Sequence, residues 1–133
     1  MEKFDFNELK TEEKIWFAHA IAGMVVADGR VDKTEKGYLK DSIEILNNRE
    51  EISLVMSIAR KEAKPILNKI NIESRTAFNI LKYLMELMIT DSRVTIKEVN
   101  YFIYVGQQIG FSKKIMTKLW KSGRNQLLSL IHI

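Results

Sequence analysis

The sequence predicts an all-α fold: a single-domain helical bundle of about six to seven helices, built from a duplicated helix–acidic loop–helix unit. Three observations support this. Apolar residues recur at spacings of three and four through most of the chain, as in amphipathic helices. No long stretch alternates apolar and polar residues as a strand does. The phrase ADGRVDKTE at 27–35 returns 63 residues later as TDSRVTIKE at 90–98.

The first predicted helix begins after Asn7 or Thr11 and continues to about Ala27. Asp28 and Gly29 follow, and glycine adopts the left-handed conformation that ends many helices. The apolar face expected of this helix is broad and includes Ile15, Ala18, His19, Ala22, Val25 and Val26.

Capping residues predict where the next two helices begin. Asp32 and Glu35 have the spacing of a capping box, so the second helix runs from there to about Asn48. Asn48 and Glu51 repeat that spacing and begin a third helix. We expect Pro65 to end it or to open a turn, because proline lacks the amide hydrogen that a helix interior needs.

The second half follows the same plan. A long helix is expected over 71–90, and Thr95 with Glu98 caps the next one. Gly110 ends that helix and Ser112 caps the last. Residues expected inside these helices include Phe78, Phe102, Ile103, Ile109, Ile115, Met116, Leu119, Trp120, Leu127 and Ile131.

The repeat is longer than the quoted phrase. A helical hairpin cannot bury its apolar stripe alone, whereas two copies can bury theirs against each other. We therefore expect one domain over 1–133 with its repeated core at about 12–125, and we expect Val31 and Val94 to point inward. At the offset of 63, Ile21 corresponds to Leu84, Tyr38 to Tyr101, Leu39 to Phe102 and Leu46 to Ile109.

The two loops match only the second half of a calcium-binding EF-hand loop. Met24 and Val26 stand where the first ligands would be, and apolar side chains do not bind a hard cation. Two interpretations of the loop acids stay open. They cap helices and bind loop amides, or they share a divalent cation across the two loops. The acids concerned are Asp28, Glu35, Asp91 and Glu98.

The repeated pattern, helix, D-G-x-V-x-x-x-E, helix, resembles the TerB-like family, which includes tellurite-resistance proteins and the N-terminal region of DjlA-type J-proteins. The resemblance implies an all-helical bundle with an acidic cluster near its loops. It also implies a role in stress responses such as tellurite resistance, often within larger assemblies. Ser92 departs from the pattern, because it replaces the glycine of the second copy.

No nucleophile elbow, phosphate-binding glycine loop or metalloprotease helix occurs, so we expect no enzyme activity and no cofactor beyond a possible divalent cation. The chain has no cysteine, and the spacing of His19 and His132 does not favour zinc. The first residues lack the apolar core of a signal peptide, and no apolar run is long enough to span a membrane. These features predict a cytoplasmic protein.

Lysines form one side of the last predicted helix, with Lys114, Lys118 and Lys121 as its centre. A solvated helix face has this pattern, and so does a surface that binds an acidic partner. The formal net charge of +4 permits either interpretation. The leading functional hypothesis is a protein-interaction module with an unknown protein partner. The alternative is a basic helical protein that binds nucleic acid.

Overall fold

The computed structural model describes residues 6–27, 33–62, 65, 67–90 and 94–131. Within these residues the protein contains no strand, which confirms the all-α prediction. A short 3-10 helix at Phe6–Glu8 precedes six α-helices. They are α1 (Thr11–Ala27), α2 (Lys33–Glu44), α3 (Arg49–Ala59), α4 (Ser74–Thr90), α5 (Ile96–Gln108) and α6 (Lys113–Ile131).

The chain divides into two compact units, Met1–Asn68 and Lys69–Ile133. Unit 1 contains α1 to α3, and unit 2 contains α4 to α6. At the offset of 63 residues, the bounds of α1 fall on those of α4, and the start of α2 falls on the start of α5. The repeated phrase therefore marks a repeat of structure. One domain spanning 1–133 stays a prediction, and the units are described separately.

In unit 1, α1 contacts both α2 and α3. The Trp16 indole N–H donates a hydrogen bond of 2.8 Å to the Asn68 carbonyl. Burial of each large apolar side chain away from water stabilises the folded chain by about 1.5–3 kcal/mol. Fully buried residues of α1 include Phe17, Ala18, Ala20, Ile21, Ala22 and Met24, and α3 contributes Val55 and Ile58.

Two capping interactions set the helix starts in unit 1. The Asn48 side-chain oxygen accepts a hydrogen bond of 3.1 Å from the Glu51 amide, so the predicted cap is confirmed. At the start of α1, the Lys10 amide donates to the Glu13 carboxylate at 2.9 Å. Each interaction satisfies an amide that a helix end leaves without an intrahelical partner.

Of the two roles predicted for Pro65, ending α3 was wrong, because the helix ends at Ala59, and opening a turn stays a prediction. The Arg60 amide donates to the Met56 carbonyl, and Lys61 then takes a φ of 65°, outside the right-handed helical region. The helix therefore ends before the proline can affect it.

In unit 2, α4, α5 and α6 all contact one another. Two glycines allow the helices to approach closely. A Cβ at Gly106 would collide with the Met116 side chain, and one at Gly123 would collide with Met85. Packing of this kind leaves no room for an added methylene. The fully buried core of this unit includes Ile80, Leu81, Leu84, Met88, Phe102, Val105 and Met116.

A turn of four residues, 109–112, joins α5 to α6. Gly110 has a φ of 101°, and the Phe111 amide donates to the Gly106 carbonyl at 3.0 Å. The Ser112 hydroxyl accepts a hydrogen bond of 3.2 Å from the Ile115 amide at the start of α6. The predicted helix stop at Gly110 and the predicted cap at Ser112 are both confirmed.

Three residues expected inside the fold are exposed. Phe78 is 50% exposed and Ile115 is 52% exposed, at the edges of the apolar stripes of α4 and α6. Helical spacing shows which side of a helix is apolar, but it does not show how much of that side a neighbour covers. Val94 is 38% exposed just before the cap of α5, so it does not point inward as predicted. Val31 lies outside the described residues.

Candidate interaction surface on the last helix

The four loop acids are only partly within the described structure. Asp28 and Asp91 lie outside it, and so does the side chain of Glu35. The shared acidic site therefore stays a prediction. Among the described residues, no group of three or more potential metal ligands lies close enough together to hold a metal ion.

Glu98 is fully buried in the first turn of α5, and its contacts are those of a capping box. Its carboxylate accepts hydrogen bonds from the Thr95 amide at 3.1 Å and the Thr95 hydroxyl at 3.2 Å. In return, the Glu98 amide donates to the Thr95 hydroxyl oxygen at 3.2 Å. The predicted capping role of Glu98 is confirmed.

His19 on α1 lies 3.3 Å from the Glu51 carboxylate on α3. The histidine side chain is 14% exposed and the glutamate side chain 28% exposed. The sequence predicted a packed histidine but did not predict this partner. Because Glu51 also donates its amide to the cap of α3, the pair fixes the start of α3 against α1.

The predicted basic face of α6 is exposed to solvent. Lys114, Lys118 and Lys121 lie one helical turn apart along one side of the helix, and all three are exposed. Lys113 and Arg124 are also exposed. We call these five cations the α6 face. Among the described residues, no carboxylate forms an ion pair with any of them, whereas Lys40 pairs with Glu44 and Arg60 pairs with Glu62.

The whole positive excess of the chain lies on α6. The helix contains five Lys and Arg residues and no Asp or Glu, whereas the full chain contains 21 basic and 17 acidic residues. The rest of the chain thus holds 16 basic and 17 acidic residues, a net charge of −1. Overall composition suggested that the cations are spread through the chain. A count for each helix, made on the sequence, would have located the excess.

The helix is attached to unit 2 along a narrow side. Within the part of α6 whose side chains are described, residues 113–125, only Met116 and Trp120 are buried. The Trp120 ring lies with its centroid 5.9 Å from that of Phe102 on α5. At about 100° of rotation per residue, the exposed positions cover an arc of about 200°. More than half of the circumference of the helix is therefore open to a partner.

A shallow cleft of about 320 Å³ lies where α5 ends and the segment before α4 passes. The Ile70 amide donates a hydrogen bond to the Gln108 carbonyl at 3.1 Å beneath it. The side chains around the cleft are three amides, two isoleucines and one lysine. Its lining residues are Lys69, Ile70, Asn71, Gln107, Gln108, Ile109 and Gly110.

Fold and surface together define a small all-helical protein with a cationic outer helix. In the described part of the chain, no helix has the length and apolar character needed to cross a membrane. Comparison of the chain with protein-family models, with curated proteins and with solved structures gave no match.

Proposed function

We propose that this protein is a non-enzymatic interaction module, and that it binds an anionic macromolecular partner through the α6 face. The observation that supports this is the position of the net charge. All of the positive excess lies on one helix that contains no carboxylate. A surface region whose charges all have one sign attracts ligands of the opposite charge and speeds their association.

A protein partner with an acidic segment is the first form of this proposal. Ile115 lies one helical turn from Lys118 on the helix surface and is 52% exposed. Carboxylates of a partner would pair with the lysines, and an apolar side chain would cover Ile115. Exposed ion pairs alone contribute little, about 0–1 kcal/mol each, so the apolar contact would supply much of the affinity.

Nucleic acid is the second form of the proposal. The short turn before α6 and the spread of its cations around the helix favour this partner. Phosphate contacts release counterions, so the affinity of such a complex falls steeply as salt rises.

From the resemblance alone, we extend the proposal to a TerB-like module that acts in the cytoplasm during stress such as tellurite exposure. The repeated acidic phrase is its only support. A strain without the gene should grow less well than its parent on tellurite. Equal growth of the two strains would contradict the extension and would leave the α6 face unaffected.

A capture experiment tests the α6 face directly. The wild-type protein, a Lys114→Gln, Lys118→Gln, Lys121→Gln triple variant and a control variant are immobilised and exposed to lysate of the source cell. The control replaces exposed lysines outside α6 by glutamine, namely Lys10, Lys40 and Lys97, and so loses the same charge. Nuclease treatment of half of each lysate separates protein partners from nucleic acid.

The same material should bind to the wild-type protein and to the control, and it should be lost from the triple variant. Mass spectrometry and nucleic-acid staining identify what is bound. Equal recovery on all three proteins would contradict the proposal, since binding would then not depend on α6.

A further inference from the structure

We propose that the partner of the α6 face is double-stranded DNA, and that α6 lies in the major groove. This inference rests on the proposed function, because it uses the same surface. It adds the class of partner and the way in which the helix meets it.

The exposed arc of α6 is wide enough for the helix to lie in the major groove of DNA. An α-helix with its side chains is about 10–12 Å across, and the major groove of B-DNA is about 12 Å wide. A helix can enter only if most of its circumference is free of its own protein. Over residues 113–125, α6 is buried only at Met116 and Trp120, which leaves about 200° of arc exposed.

The cations are distributed across that arc, and this distinguishes DNA from an acidic protein segment. At about 100° per residue, Lys113 and Arg124 lie near one edge of the arc, and Lys118 lies about 120–140° away. A partner helix contacts one narrow stripe of its neighbour. The opposite edge of the arc consists of Ser122 and Ile115, so Lys118 is the cation nearest to it. The major groove has a phosphate backbone on both sides, so Lys113 and Arg124 can reach one strand while Lys118 reaches the other.

The residues between the flanks can hydrogen bond to base edges. Lys114, Lys121 and Asn125 are exposed near the middle of the arc. Lysine donates to the O6 and N7 atoms of guanine, and asparagine bonds to the N6 and N7 atoms of adenine. The middle of the arc therefore faces the floor of the groove when the flanks face the phosphates.

The turn that joins α5 to α6 is similar in length and composition to the turns of DNA-binding helix pairs. DNA-binding helix pairs are joined by turns of three or four residues that often contain glycine. Here the turn is 109–112, Gly110 has a φ of 101°, and Met116 packs closely over Gly106. The first turns of α6, where base contacts concentrate in those proteins, contain Lys113, Lys114 and Lys118.

Other nucleic acids fit this surface less well. Proteins that bind single strands stack the bases on exposed aromatic rings, and α6 has none among its described side chains, because Trp120 is buried. Double-stranded RNA has a major groove too deep and narrow for side chains to enter. B-form DNA is thus the polyanion that matches the exposed arc.

The test uses the full-length protein and a fluorescent DNA duplex of about 20 base pairs with mixed sequence. Fluorescence anisotropy gives the affinity from 50 to 200 mM salt for the wild type, the triple variant and the control variant defined above. With the three flanking cations Lys113, Lys118 and Arg124 in contact with phosphates, the logarithmic salt slope is about −2.7, a loss of roughly 40-fold in affinity over that range. The triple variant removes one of these cations, Lys118, and should reduce the slope by about 0.9, whereas the control should keep the wild-type slope. Loss of the base contacts of Lys114 and Lys121 should lower the affinity further at every salt concentration.

Dimethyl sulfate, which methylates guanine N7 in the major groove, tests the position of the helix. The wild-type protein should protect guanines from methylation at salt concentrations where it binds. The thermal midpoint of each variant checks folding. If the triple variant does not fold, Lys118→Gln alone should still reduce the slope by about 0.9.

Three results would overturn this inference. They are the absence of duplex binding at 50 mM salt, a salt slope unchanged in the triple variant, and binding without protection of guanine N7. A parallel titration with poly-L-glutamate separates it from the proposed function. Binding of poly-L-glutamate through the same lysines, without duplex binding, would overturn the DNA inference and leave the α6 face as a protein-binding surface.

Discussion

The third helices of the two units, α3 and α6, follow equivalent helix pairs but differ in chemistry. In the register of the repeat, Val55 of α3 corresponds to Lys118 of α6, and Ile58 corresponds to Lys121. The two α3 residues are 0% and 1% exposed, whereas both lysines are exposed. Positions that form the core in unit 1 thus form the outer surface in unit 2.

The first two helices of each unit have diverged much less. Ile21 and Leu84 are both fully buried, and so are Val25 and Met88, which correspond at the same offset. A duplicated pair of helices therefore keeps the core that each unit needs. The third helices do not share this core pattern, and in unit 2 the third helix carries the cationic surface on which our functional proposal rests.

The largest change in the free energy of unfolding is expected when residues are exchanged between corresponding positions of α3 and α6. Val55→Lys places a charge in a fully buried site and should cost on the order of 4 kcal/mol, because an unpaired buried charge is among the most destabilising changes. Lys118→Val changes an exposed site and should alter stability by no more than about 0.5 kcal/mol. Chemical denaturation measures both. Equal costs would show that the two positions do not differ in burial.

A smaller effect is expected at the glycine contact in unit 2. Gly106→Ala should cost about 1–3 kcal/mol, because the new Cβ would meet the Met116 side chain. Adding Met116→Ala should make the combined cost less than the sum of the single costs, which a double-mutant cycle detects.

Gly37 on α2 is the control. Nothing lies within 4 Å of a Cβ there, so Gly37→Ala should stabilise the protein by about 0.5–1 kcal/mol. The same cost at both glycines would argue against close packing of α5 on α6.

The capping box of α5 is worth about as much as an average helix cap. Thr95→Ala removes the hydroxyl that accepts from the Glu98 amide and should cost about 1 kcal/mol. Asn48→Ala, which removes the single cap bond of α3, is the matched change in unit 1. Thermal unfolding gives the midpoint temperature of each of the two variants. A midpoint unchanged by Thr95→Ala would mean that the cap contributes nothing to stability.

The smallest effect should distinguish two corresponding tyrosines, Tyr38 and Tyr101. Among the described residues, the Tyr101 hydroxyl is buried without a hydrogen-bond partner, so Tyr101→Phe should stabilise the protein by about 1 kcal/mol. The Tyr38 hydroxyl is not among the buried polar groups that lack a hydrogen-bond partner in the described residues, so Tyr38→Phe should give no such gain.

Stability at alkaline pH provides a second measurement on the same variant. Burial, and secondarily the nearby Tyr104, raise the pKa of Tyr101 above its ordinary value of about 10. The unfolded chain therefore loses this proton first as pH rises, and stability falls above about pH 10. Tyr101→Phe should weaken that fall. Identical alkaline profiles for the variant and the parent would contradict the burial of the hydroxyl.

Local interactions explain most of what the sequence predicted correctly. Asn48, Thr95 and Ser112 cap helices through residues three positions away, and Gly110 stops a helix through its own backbone. Such contacts lie within a few residues, so spacing alone reveals them. The exposure of the α6 lysines was predictable for a similar reason, since they lie opposite the apolar stripe of their own helix.

What the sequence did not predict depends on contacts between distant residues. Phe78 and Ile115 belong to apolar stripes, but their exposure depends on which neighbour covers the edge of each stripe. The pair of His19 with Glu51 joins residues 32 positions apart and required the packing of α1 on α3. The sequence shows that α3 has apolar residues where α6 has lysines. Only the burial of these positions shows that they belong to the core in α3 and to the surface in α6.

The most direct test of the central claim, that binding belongs to α6 and not to its counterpart α3, is a nuclear magnetic resonance titration. The amide resonances of the full chain are followed as the 20-base-pair duplex or poly-L-glutamate is added at low salt. The account predicts that shift changes concentrate at residues 112–125, and that the amides of Arg49–Ala59 stay unchanged. Shift changes centred on α3, or spread equally over both helices, would contradict it.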